Sequence, residues 1–188
     1  MGWGGFTGTV TMGAKRSPQT VPEAYVMQPF RVTMKYHDRT FKGVDLEVGY
    51  DELEATTREE PEFEMSDEVL RLFGALGLPA PAPVRVQPLH HQIAQKIHAC
   101  TAPRSDRAHD LVDLQLIAPM TASNLVAATT RRLFTFRAEH EWPPMLSPGV
   151  DWGPLYSEAA DGLDVLPSVV DAVAWLNDYV ARLDALSG

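Results

Sequence analysis

Phe30-Arg31-Val32-Thr33-Met34-Lys35-Tyr36 is the stretch on which the fold turns. Apolar side chains at 30, 32, 34 and 36 alternate with Arg31, Thr33 and Lys35, the period-two pattern of a half-buried strand. His37-Asp38-Arg39-Thr40 follows as a polar turn. Beyond it Val44, Leu46, Val48 and Tyr50 share one face, and Asp45 and Glu47 share the other. Alternating runs joined by a short polar link predict an antiparallel hairpin. Upstream, Phe6, Val10 and Met12 supply a third strand, with a loop over Ser17 to Pro22 in between.

Downstream the pattern changes. Asp51 to Glu64 is acidic and reads as an exposed connection. Ser66 caps a short helix that starts at Asp67-Glu68, acids placed at the positive end of the helix, and Gly77 stands near its stop. Pro79-Ala80-Pro81-Ala82-Pro83 is a stiff extended spacer. After it the apolar period is 3.6. Pro88 opens a helix through Thr101; Ser105 caps the next, which Pro119 ends; Thr121 caps a third, reaching about Glu139. A Trp-Pro-Pro loop leads to a shorter helix near Leu155 to Ala160. In the last helix Ser168 and Asp171 form a capping box, and Val169, Val173, Leu176, Val180 and Leu183 mark one face. The expected fold is therefore α+β: a small antiparallel sheet packed beside a C-terminal helical bundle. The β-rich part covers residues 1–65 and the helical part 66–188, expected by length to form one compact unit.

Composition narrows the class. Of 188 residues 45% are apolar, enough for a core, and no apolar run approaches a membrane span. No basic start followed by an apolar stretch marks a signal peptide. Cys100 is the lone cysteine, so an internal disulfide is excluded and a cytoplasmic setting is expected. A net charge of −9 argues against coating nucleic acid through the overall field. Arg131, Arg132 and Arg137 could still line a small basic cleft, or form a solvated helix face.

Charges on the apolar sides of two helices carry the chemistry. Leu89, Ile93, Ile97 and Cys100 make one stripe, and Lys96 points with it while His91 and His98 point away. A lysine there costs desolvation unless its ammonium meets an anion or its stem packs while the head reaches water. On the next helix Asp110 falls between Leu114 and Ile117, with Arg107 one turn earlier, and Asp113 lies nearer the polar boundary. An inward carboxylate near an inward lysine suits a nucleotide or metal site, and equally an ordinary buried ion pair.

The run Leu89-His90-His91-Gln92-Ile93-Ala94-Gln95-Lys96-Ile97-His98-Ala99, followed by Arg107-Ala108-His109-Asp110-Leu111-Val112-Asp113-Leu114, resembles the paired signature of AbiEii/AbiGii nucleotidyltransferase-like toxins. In that family a helix with Ala-x-Lys-x-x-Ala precedes one with Asp-Leu-x-Asp-Leu. The resemblance implies that Lys96 and Asp110 are catalytic and that Asp113 is a structural partner; Lys96 and Arg107, on the inward side of their helices, are the expected nucleotide-binding residues. It implies a polymerase-β-type core with Mg²⁺ as cofactor, an NTP as substrate, an acceptor such as tRNA, and an antitoxin partner in toxin–antitoxin or phage-defence biology. Asp45 and Glu47, roughly 7 Å apart along one strand face, suit the third-carboxylate position at the metal; the alternative is a solvent-facing acidic edge.

The family's Gly-Ser turn followed by an acidic pair does not appear before Asp45, where Glu23 is the first acid. The expectation is a late start, a fragment or a degenerate relative, with weak or no nucleotidyl transfer by this chain. The competing readings are a non-catalytic binding module of the same fold and a metal-dependent phosphohydrolase. The latter would be built on His109-Asp110 with His90, His91 or His98 as further ligands; as bystanders, these histidines belong on wet helix faces. Lys96 and Asp110 are expected to open into one cleft near the Asp45/Glu47 face.

Overall fold

The computed structural model describes residues 2–15, 27–49, 53 and 62–186. Ser17 to Pro22, Tyr50 and most of the acidic stretch lie outside the described residues. The chain divides into two compact units, Met1–Glu52 and Leu53–Gly188.

The first unit is a four-stranded antiparallel sheet in the order β1 (Gly2–Trp3), β2 (Phe6–Met12), β3 (Gln28–Tyr36) and β4 (Arg39–Val48). The expected hairpin is β3–β4. His37 and Asp38 both take positive φ, the backbone that a two-residue turn needs to follow the strand twist. Its register sets Arg31 opposite Asp45 and Val32 opposite Val44. The expectation of a half-buried face is corrected in degree: β3 is partly covered, β4 is mostly exposed, and none of the described sheet residues is buried. Alternation identifies a strand, but coverage of its apolar face depends on a second layer.

The second unit begins with features the sequence reading placed only in part. Glu62–Glu64 (β5), read as exposed connection, pairs antiparallel with Val84–Val86 (β6), just after the proline spacer. Three-residue strands leave too short a run for alternation to register. Between them α1 (Asp67–Ala75) is capped by Ser66, whose hydroxyl accepts from Glu68 N, and Gly77 follows at positive φ.

The core is helical. α2 (Leu89–Thr101), α3 (Ala108–Ile117), α4 (Ser123–Arg137), α5 (Trp152–Ala160) and α6 (Val169–Ala185) supply nearly all of it. α3 packs against α2, α5 and α6, and α2 also packs against α4. Leu111, Leu114, Leu176 and Leu183 are fully buried among Ile93, Ile97 and Tyr156. The capping box at α6 is present: Ser168 Oγ accepts from Asp171 N at 3.2 Å and donates to the Asp171 carboxylate at 2.6 Å. Two expected caps differ. Ser105 does not cap α3, where Arg107 holds the N-cap position; its hydroxyl instead bonds Ala99 O and Arg107 N across the α2–α3 loop. Ala122 rather than Thr121 precedes α4, which ends at Arg137. No helix among the described residues is long and apolar enough to cross a membrane.

Candidate functional site

Lys96 lies three residues after Ile93 and four before Cys100, both fully buried, so its stem leaves α2 on the apolar side. Its ammonium donates to Asp110 Oδ1 at 2.8 Å and to Asp113 Oδ2 at 2.5 Å. The Asp110 side chain is 0% exposed, in the first turn of α3, where unpaired amides favour negative charge. Its second oxygen accepts from Arg107 Nε at 2.8 Å. Each oxygen of one buried carboxylate therefore holds a different cation.

The electrostatics follow from this clamp. Burial alone disfavours the Lys96 ammonium, yet its hydrogen bonds to Asp110 and Asp113 prevail and hold its pKa above the ordinary value of 10.5. The bond to Asp110 likewise raises Arg107. Cys100, one turn further along α2, is pushed up to about 12 by burial and then by Asp110. Its thiol donates to Arg107 O at 3.3 Å and is a packing group rather than a nucleophile. Half-exposed His109 stands 3.7 Å from Asp110.

A pocket of about 600 Å³ opens beside the clamp. Its walls carry three cations, Lys96, Arg107 and Arg137, and three amides, Gln87, Gln92 and Gln95, with Val86 and Ala99 as the apolar remainder. The volume is that of a small-molecule site. Asp110 lies behind Lys96 and Arg107, so the cavity wall itself presents cations and amide groups.

A family model described as nucleotidyl transferase AbiEii toxin, Type IV TA system, matches residues 7–179. The chain belongs to this family. No curated protein matches it. The AbiEii resemblance carried by Leu89–Ala99 and Arg107–Leu114 is thus borne out, and with it a nucleotidyltransferase-like toxin of a toxin–antitoxin system as the family reading.

In this AbiEii chain Lys96, Arg107 and Asp110 meet at hydrogen-bond distance, and Asp113 reaches Lys96 from a half-exposed position. Asp45 and Glu47 are on β4, in the other compact unit. Asp45 is already paired with Arg31 at 2.5 Å, both largely exposed. Among the described residues no three of His, Cys, Asp or Glu gather closely enough to hold a metal ion. Among the described residues no third carboxylate, histidine or cysteine joins Asp45 and Glu47, and Asp45 is engaged by the Arg31 guanidinium.

The wet-face reading of His91 and His98 is overturned: both are buried. The reason is that α2 has neighbours on two sides, α3 and α4, so its covered arc is wider than the 93–97–100 stripe. His98 packs its ring against Phe134 of α4 and against His140. The three arginines of α4 diverge rather than line one cleft. Arg131 pairs with Asp184, Arg132 donates to Leu53 O at 3.3 Å, and Arg137 donates to His98 Nδ1 at 3.1 Å. Arg137 and the glutamines are the pocket residues that the sequence did not single out for it. Only tertiary packing brings the end of α4 to α2, and no local spacing signals that.

Proposed function

We propose that this protein binds a nucleoside triphosphate by its phosphates in the pocket beside Lys96 and transfers the nucleotide to an acceptor such as tRNA, as the toxin of a pair restrained by an antitoxin. One observation carries the reading: two cations held by a single fully buried carboxylate at the wall of a pocket lined by cations and amides. Cations fixed before the ligand arrives lose little freedom on binding, and charge-assisted hydrogen bonds to phosphate oxygens are the strong kind. Lys96 and Arg107 take the phosphate oxygens. Asp110, with both oxygens engaged, positions them rather than acting as a base. Mg²⁺ belongs to the family's chemistry, where it neutralises the triphosphate. The two strand-side carboxylates, Asp45 and Glu47, are the proposed protein contribution to it, and an incomplete one.

The test is calorimetric titration of each of the four NTPs, with labelled-NTP incorporation into total tRNA and thermal melts alongside. Wild type should bind at least one NTP, and Lys96→Ala should weaken that binding at least about tenfold, the scale of a lost charge-assisted contact. Unchanged binding by folded Lys96→Ala would remove the reading. Binding without incorporation would mark a binding module of the same fold.

A further inference from the structure

We propose that His98 is a positioning residue for the ligand: its buried Nδ1 aims the Arg137 guanidinium into the pocket that Lys96 and Arg107 line. The proposal rests on the phosphate-binding reading of that pocket.

His98 is 1% exposed, two residues after Lys96 on α2. Arg137 is the last residue of α4, and the chain turns away at Ala138 in the left-handed conformation. The guanidinium donates through Nη1 to His98 Nδ1 at 3.1 Å, and the same side chain forms part of the pocket wall. A guanidinium only donates, so the geometry assigns the imidazole its tautomer: lone pair on Nδ1, hydrogen on Nε2. Burial first, then the nearby Arg137 and His140, hold the ring down at about 3. It is therefore neutral and accepting throughout the physiological range.

The competing account is that His98 merely fills space against Phe134 and His140, whose rings lie 4.9 and 4.5 Å away. An apolar side chain would do that better. Nε2 is buried and has no hydrogen-bond partner among the described residues, and an unsatisfied buried N–H is a cost that a Leu would avoid. The directional bond that the ring does make runs to a cation of the pocket. Arginine has many rotamers, and a fixed acceptor at one end of its fork restricts it to those that reach the pocket.

The experiment titrates inorganic tripolyphosphate into the full chain by calorimetry, with thermal melts on every variant. Arg137→Ala should weaken binding about tenfold, and His98→Leu should weaken it nearly as much. His98→Asn, whose amide oxygen can stand where Nδ1 stood, should bind within about threefold of wild type. The double variant His98→Leu/Arg137→Ala should bind no more weakly than Arg137→Ala alone, because a positioning residue acts only through its partner. Should His98→Leu fail to fold, His98→Gln, which sets its amide at the Nε2 place, substitutes for it and should lose affinity likewise. Wild-type affinity in His98→Leu, no rescue by Asn, or a further loss in the double variant would overturn the proposal. If Lys96→Ala weakens binding while His98→Leu does not, the pocket stands and His98 is a core residue. If wild type does not bind tripolyphosphate, or Lys96→Ala binds it as wild type does, the pocket reading falls and this proposal with it.

Discussion

The molecule contains the same chemical pair in two settings. On the sheet, Arg31 and Asp45 face each other across β3 and β4 with side chains 53% and 75% exposed. Between the helices, Asp110 is fully buried with one oxygen on Lys96 and the other on Arg107. Water screens the first pair and leaves it worth little. The second has exchanged water for two fixed cations, and removing one member strands the others. Solvent access, not the identity of the residues, separates a surface ornament from a site.

The sharpest way to break that contrast is Asp110→Ala. It should cost about 3 kcal/mol, near the lower end for a broken buried pair because Lys96 and Arg107 keep paths to water. Urea denaturation measures it, and a loss under about 1 kcal/mol would put the helical pair in the class of the surface one. The variant is therefore a stability probe, and Lys96→Ala is the cleaner probe of binding. A second comparison is with acid. His98 is held at about 3 against an ordinary 6.5, so the unfolded chain takes up its proton first. Its contribution to stability is complete above pH 6.5 and declines as pH falls toward 3, at about 1.4 kcal/mol per unit. Denaturation at pH 7.5 and 5 should differ by about 2 kcal/mol from this residue, and His98→Leu should flatten that difference; an equal slope in the variant would contradict the burial of a neutral ring. The smallest effect belongs to the sheet. Asp45→Asn should change stability by less than about 1 kcal/mol, and a larger loss in the same denaturation series would show that the exposed pair is more than a surface contact.

The sequence carried the elements further than their surroundings. Alternation in Phe30–Tyr36 and the Ser168–Asp171 capping box each specify a local geometry, and both elements are present. The inward placement of Lys96 was legible because its neighbours at 93 and 100 are apolar. What a periodicity cannot encode is how many partners an element has. α2 packs on two sides, which buries His98 against expectation, while β4 remains exposed on most of its length. Arg137 is 39 residues from the histidine it meets, and Glu62–Glu64 pairs across a helix with Val84–Val86. Such meetings are products of packing, so they became visible only in three dimensions.

Asp110 also constrains how this chain can drift. Its oxygens organise the pocket, and the residue is fully buried on α3 beside the core residue Leu111. A substitution there weakens the pocket and the fold together. Asp113, half exposed and bonded to the same ammonium, carries no such double burden. Mutational wandering that loosens the grip on Lys96 while keeping a folded chain would accordingly pass through position 113 before position 110.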